Sequence, residues 1–163
     1  MRTVEPFEDL LGRGEVALAE GAWHVAEELF RKAAALRPQS AHAHTRLGVA
    51  LARQGRYEEA LACFREALQL DPGYAPAYCN MGTVHGERGE LEGAVRAYRK
   101  ALELDPEYAL THHNLAAVYK RLGRYGEFVR HMKQATRLSS RAWGRPGCLV
   151  VLSGILWMVC WWL

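Results

Sequence analysis

No two of the four cysteines, Cys63, Cys79, Cys148 and Cys160, stand in a CxxC or zinc-ligand spacing. That argues against a disulfide framework and a structural zinc site, and reduced thiols in a cytosolic compartment are the expectation. No apolar run opens the chain, since Met1 to Leu11 contains Arg2, Glu5, Glu8 and Asp9, so no secretory leader is expected. Charge of one sign is also scarce: a formal net charge of +3 is too mild for a nucleic-acid partner, which shows as a basic stripe. Gly12-Arg13-Gly14 is followed by neither a third glycine nor a Gly-Lys-Ser/Thr in place, which excludes a phosphate loop. No charged residue follows Arg145.

What the chain has is a repeat. Gly21, Gly55, Gly89 and Gly123 recur at a constant step of 34 residues, as do Ala33, Ala67, Ala101 and Ala135. Pro38, Pro72 and Pro106, then Leu36, Leu70, Leu104 and Leu138, and Phe30, Phe64, Tyr98 and Met132 fall into the same register. A period of this size means stacked supersecondary units, which present an extended concave surface. Within each unit apolar residues recur twice at helical spacing, as in Leu47 and Leu51 and then Leu61, Phe64 and Leu68, so each unit is two amphipathic helices. The column glycine suits a left-handed residue that closes the first helix. Asp71-Pro72 and Asp105-Pro106 end the second, because proline cannot continue a helix. Small residues at Gly48, Gly82, Ala67 and Ala101 let neighbouring helices approach closely.

The column residues resemble the tetratricopeptide repeat (TPR) family: His44, Leu47-Gly48, Leu51, Ala60, Phe64, Ala67 and Pro72 in one unit, and Tyr78, Met81-Gly82, His85, Ala94, Tyr98, Ala101 and Pro106 in the next. A third unit reads His112, Leu115-Ala116, Tyr119, Phe128, Met132 and Ala135, and a degenerate first one keeps Gly14, Ala26, Phe30, Ala33 and Pro38. The resemblance implies an all-α, right-handed solenoid of antiparallel helix pairs, with first helices on the concave face. Units are expected at about 7–40, 41–74, 75–108 and 109–142, after an N-terminal extension of residues 1–6. Helices are expected near 8–20, 23–36, 41–54, 57–70, 75–88, 91–104, 109–122 and 125–138.

Nothing in the pattern points to catalysis, a cofactor or a small-molecule substrate. His42 and His44 are two apart and His112 and His113 are adjacent, so neither pair has the i, i+4 spacing of a helical metal site. His44, His85 and His112 fall on packing columns and are expected to be hydrogen-bonded structural residues. Glu27-Glu28 and Glu58-Glu59 are expected as solvated charge on second helices.

The candidate site is therefore the groove. Its expected residues are Arg46, Val49 and Arg53; Asn80 and Thr83; and Asn114, Ala117, Lys120 and Arg121. Asn80 and Asn114 share a column, similar to the asparagine ladder in the TPR arm of protein O-linked N-acetylglucosamine transferase. An amide both donates and accepts, so it can grip a peptide backbone whatever its side chains. The lysine that a chaperone-type carboxylate clamp places four residues earlier is missing, since His42, Pro76 and Leu110 stand there. The groove cations would still attract an acidic segment.

The chain then changes character. After a linker at 143–147 the 16 residues 148–163 (CLVVLSGILWMVCWWL) are apolar on every side, which means burial in protein or lipid. As a helix they reach about 24 Å, short of a hydrocarbon core of about 30 Å. Arg137, Arg141 and Arg145 on the near side and Trp157, Trp161 and Trp162 at the far end favour a transmembrane tail. The sequence thus predicts a non-catalytic scaffold that binds a partner peptide, with a single-pass C-terminal anchor and the repeats in the cytoplasm. The alternatives are a soluble adaptor whose tail self-associates, docks a partner or folds back over the exposed face of the last repeat around Phe128 and Met132, or the regulatory arm of a separate enzyme such as a glycosyltransferase.

Overall fold

In a computed structural model the chain is described over residues 6–143. Eight helices follow one another: α1 (Phe7–Ala19), α2 (Trp23–Leu36), α3 (Ala41–Arg53), α4 (Tyr57–Leu70), α5 (Ala75–Glu87), α6 (Leu91–Leu104), α7 (Ala109–Arg121) and α8 (Tyr125–Trp143). No strand occurs among the described residues. Each helix packs on its sequence neighbour, and α5 also touches α3 and α7, so the pairs stack in order.

The turn inside each pair is built the same way. Gly21, Gly55, Gly89 and Gly123 have φ between 71° and 78°, a left-handed conformation that a Cβ would strain. At α3, Gly55 N donates to Ala52 O at 3.0 Å and Arg56 N to Leu51 O at 3.1 Å, a Schellman motif that satisfies two orphan carbonyls. Glu90 N to His85 O and Arg124 N to Tyr119 O repeat it at 2.9 Å each. Between pairs, Asp71 Oδ1 and Asp105 Oδ1 accept from the amides of Gly73 and Glu107 at 2.9 and 3.1 Å, so each Asp-Pro closes an Asx turn.

Packing explains the remaining columns. A Cβ added to Gly14, Gly48 or Gly82 would lie 2.4, 2.5 or 2.7 Å from a ring carbon of Phe30, Phe64 or Tyr98, so each first helix lets the aromatic of its own second helix reach its backbone. The fourth pair substitutes Ala116 and Met132, a larger residue facing a more flexible one. Ala33, Ala67 and Ala101 are fully buried. The buried apolar residues form two clusters that meet at α5, which places Ala77 and Val84 in the N-terminal one and Cys79 in the C-terminal one. Arginines tie each turn to the preceding pair: Arg56 to Glu27 at 2.8 Å, Arg88 to Glu58, and Arg124 to Glu92 at 3.0 Å.

Two expectations change, and a third lies beyond what the structure describes. α8 runs to Trp143, past the expected end at 138, and so takes in the first residue of the expected linker; where earlier units have proline, Ser140 stands, and its hydroxyl bonds the carbonyl of Thr136 within the helix. Glu27 is not solvated: it is 9% exposed and accepts from Arg31, Gln54 and Arg56. The hydrophobic helix expected over 148–163 lies outside the described residues, and among the described residues no helix is long and apolar enough to cross a membrane.

Candidate peptide-binding groove

Two adjoining depressions run over the first helices. The larger, a cavity of about 300 Å³, is lined by Val49, Ala52 and Arg53 of α3, Asn80, Thr83, Val84 and Glu87 of α5, and Trp23, Tyr57 and Phe64 from second helices. The smaller, about 170 Å³, is lined by Thr83, Gly86 and Glu87 of α5, Asn114, Ala117, Val118 and Arg121 of α7, and Tyr98. Thr83 and Glu87 border both, so the two form one groove.

Of the residues expected there, Val49, Arg53, Asn80 and Thr83 line the first depression and Thr83, Asn114, Ala117 and Arg121 the second. Arg46 and Lys120 line neither. Arg46 is half-buried, ion-paired with Glu15 of α1 and 5.9 Å from the Phe30 ring centroid, so it joins α3 to the first pair. Arg121 donates to the carbonyl of Gly86 at 2.8 Å, near the C-terminus of α5, where a cation is favoured. Arg53 is exposed, and Glu87 brings a carboxylate into the groove. The positive bias expected of four cations therefore reduces to Arg53 and Arg121 set against Glu87.

The floor is polar where it can orient a ligand. Thr83 Oγ1 lies 3.0 Å from the Tyr98 hydroxyl, and the Asn114 side chain stands beside both that hydroxyl and the Cys79 thiol. Burial pushes the Tyr98 phenol up to about 12 and raises the Cys79 thiol, so both stay neutral donors at ordinary pH. Asn80 and Asn114 are both half-buried, with their amides on the groove wall.

Sequence reasoning missed Trp23 and Tyr57. The signal was present, because Trp23, Tyr57, Leu91 and Tyr125 keep the 34-residue step and open the second helices.

The three histidines on packing columns are hydrogen-bonded within the fold. His44 Nε2 donates to Pro38 O at 2.9 Å and His112 Nε2 to Pro106 O at 3.0 Å, the same bond in two units. His85 Nδ1 lies 2.6 Å from Glu90. No group of metal-ligating side chains occurs among the described residues.

Family models described as tetratricopeptide repeat or TPR repeat match residues 11–75, 63–96, 86–123 and 109–145, together spanning every helix pair. The chain belongs to the tetratricopeptide repeat family. Among solved structures this TPR protein is similar to "Crystal structure of MamA", at 27% identity over 85% of this chain and 81% of that one, with a TM-score of 0.69. It is also similar to "MamA 41-end from Desulfovibrio magneticus RS-1", at 26% identity over 83% of this chain and 77% of that one, with a TM-score of 0.67. No curated protein matches the sequence. The TPR repeats support protein–protein interaction as the task of the chain.

Proposed function

We propose that this TPR protein is a non-catalytic adaptor that holds an extended segment of a partner protein along the groove over α3, α5 and α7. The observation that carries this reading is the junction of the two depressions at Thr83 and Glu87, which makes one continuous path with Asn80 and Asn114 on its wall. An extended peptide exposes an N–H and a C=O at each residue, and Asn80 can pair with both at once. Trp23 and Tyr57 at one end offer an apolar seat for one large side chain. Arg53 and Arg121 favour an acidic residue nearby, and Glu87 restrains that preference.

For residues 148–163 the membrane anchor rests on composition alone, and a helix of this length falls short of the hydrocarbon core by about 6 Å. A tail that docks on protein is the better supported reading, because α8 leaves an apolar groove facing out.

Selection of displayed random peptides on the full chain tests the adaptor reading. Selected peptides should lose about 5- to 50-fold in affinity for Asn80→Ala, the value of one or two hydrogen bonds, and should fail on Thr83→Trp, which blocks the path. Equal binding to Thr83→Trp overturns the proposal.

A further inference from the structure

Charge alternates along the groove at the ends of the first helices. Arg53, Glu87 and Arg121 share one repeat column and are the last residues of α3, α5 and α7. All three are exposed; Arg53 and Glu87 line the first depression, and Glu87 and Arg121 the second. In the degenerate first pair the column holds Ala19, so the order of charges along the path is plus, minus, plus. Elsewhere the fold pairs charges between neighbouring units, as in Arg56 with Glu27, Arg124 with Glu92 and, on the first helices themselves, Arg46 with Glu15. This column is left open. Arg53 and Glu87 are opposite in sign and line one cavity, yet among the described residues neither has an ion-pair partner, and Arg121 has no carboxylate partner there.

We infer, resting on the adaptor reading above, that the partner segment carries alternating charge: an acidic, a basic and an acidic residue at every third position of an extended chain, opposite Arg53, Glu87 and Arg121. The spacing comes from the stack. Packed helices lie about 8–10 Å apart, and α5 touches both α3 and α7. A polyproline-II chain rises about 3.1 Å per residue with three residues per turn, so its residues i and i+3 fall on one face about 9.3 Å apart. A β-strand fits less well, because side chains on one face recur every second residue, about 6.6 Å apart. The polyproline-II backbone has no internal hydrogen bonds, so its N–H and C=O groups are open to Asn80 and Asn114, which keep the same one-repeat step. A wholly acidic segment would set its middle carboxylate against Glu87, and like charge opposes that pairing. The pattern acid-x-x-base-x-x-acid is the same in both directions, so it holds whichever way the segment runs.

Displayed random peptides selected on the full chain test the pattern, with Thr83→Trp separating groove binders from the rest. Peptides that bind the unaltered chain and are lost on Thr83→Trp should carry Lys or Arg three residues from an Asp or Glu. Changing that base to Glu should weaken binding about 3- to 10-fold, as an exposed attraction turns into a repulsion, and Glu87→Lys should restore it. Glu87 is exposed and ends α5, where a cation is favoured, so the Glu87→Lys variant is expected to fold. Groove-binding peptides that lack the spaced base overturn the alternating-charge pattern and leave the adaptor reading standing. So does a base-to-acid change that costs no affinity, or a loss that Glu87→Lys does not recover. If no selected peptide depends on the open path at Thr83, the adaptor reading fails and the charge pattern with it.

Discussion

The ring of Phe64 lies against the backbone of Gly48, so close that a Cβ on that glycine would sit 2.5 Å from Cε1 of the ring. Phe64 is fully buried and cannot move aside. The same pairing joins Gly14 to Phe30 and Gly82 to Tyr98, which makes this contact the unit from which the first three helix pairs are assembled.

Gly48→Ala should therefore destabilise the protein by about 1–3 kcal/mol through overpacking. Gly12→Ala should do the opposite, gaining about 0.5–1 kcal/mol, because Gly12 is an exposed residue inside α1 with nothing within 4 Å of an added Cβ. Urea unfolding of both variants checks the pair, and a like sign for the two would contradict the packing described.

Acid should weaken the joint between the first two helix pairs. Burial alone would raise the Glu27 carboxyl, but hydrogen bonds from Arg31, Gln54 and Arg56 outweigh it and hold the group at about 2, below its usual 4.5. A carboxylate held low contributes stability that is complete above 4.5 and is lost as pH falls towards about 2. Urea midpoints measured across that window should fall for the unaltered chain and fall less for Glu27→Gln.

A second pH effect belongs to α8. His112 Nε2 donates to Pro106, so in the neutral ring its Nδ1 accepts, and the 2.9 Å contact with His131 Nδ1 makes His131 the donor. His131 also stacks on Tyr119, whose hydroxyl accepts from Arg99 at 2.9 Å. Burial, then the neighbouring His112, Arg130 and Arg99, lower the His131 pKa below its ordinary 6.5, against a smaller opposing effect of Glu127. The folded state thus favours the neutral ring. Its contribution is complete above 6.5 and declines as pH drops below that value, where the unfolded chain binds the proton first. His131→Phe keeps the stacking and should flatten the stability curve just below 6.5.

Groove electrostatics predict a modest salt effect. With Arg46 committed to Glu15 and Glu87 opposing Arg53, a selected peptide should lose only a few-fold in affinity between about 0.05 and 0.5 M salt. Arg53→Ala should remove most of that dependence, and Arg46→Ala should instead lower stability. Titration calorimetry and urea unfolding separate the two effects.

The sequence by itself determined the helix pairs, their order and their turns. Those features are local: a left-handed glycine, an Asp-Pro and a 34-residue apolar period each act within a few residues of chain, and observed helix ends fall within one residue of expectation up to α7. α8 departs because Ser140 stands where earlier units have proline. Only the tertiary structure decided which groove residues are free. Arg46 and Asn80 occupy one column, yet Arg46 is held by Glu15, contributed by a different helix, while Asn80 lines the cavity. Glu27 is buried for the same reason, since Gln54 and Arg56 reach it from the next pair. A column of the repeat says which way a side chain points, but its partner comes from a neighbouring unit whose sequence differs, and only stacking brings the two together.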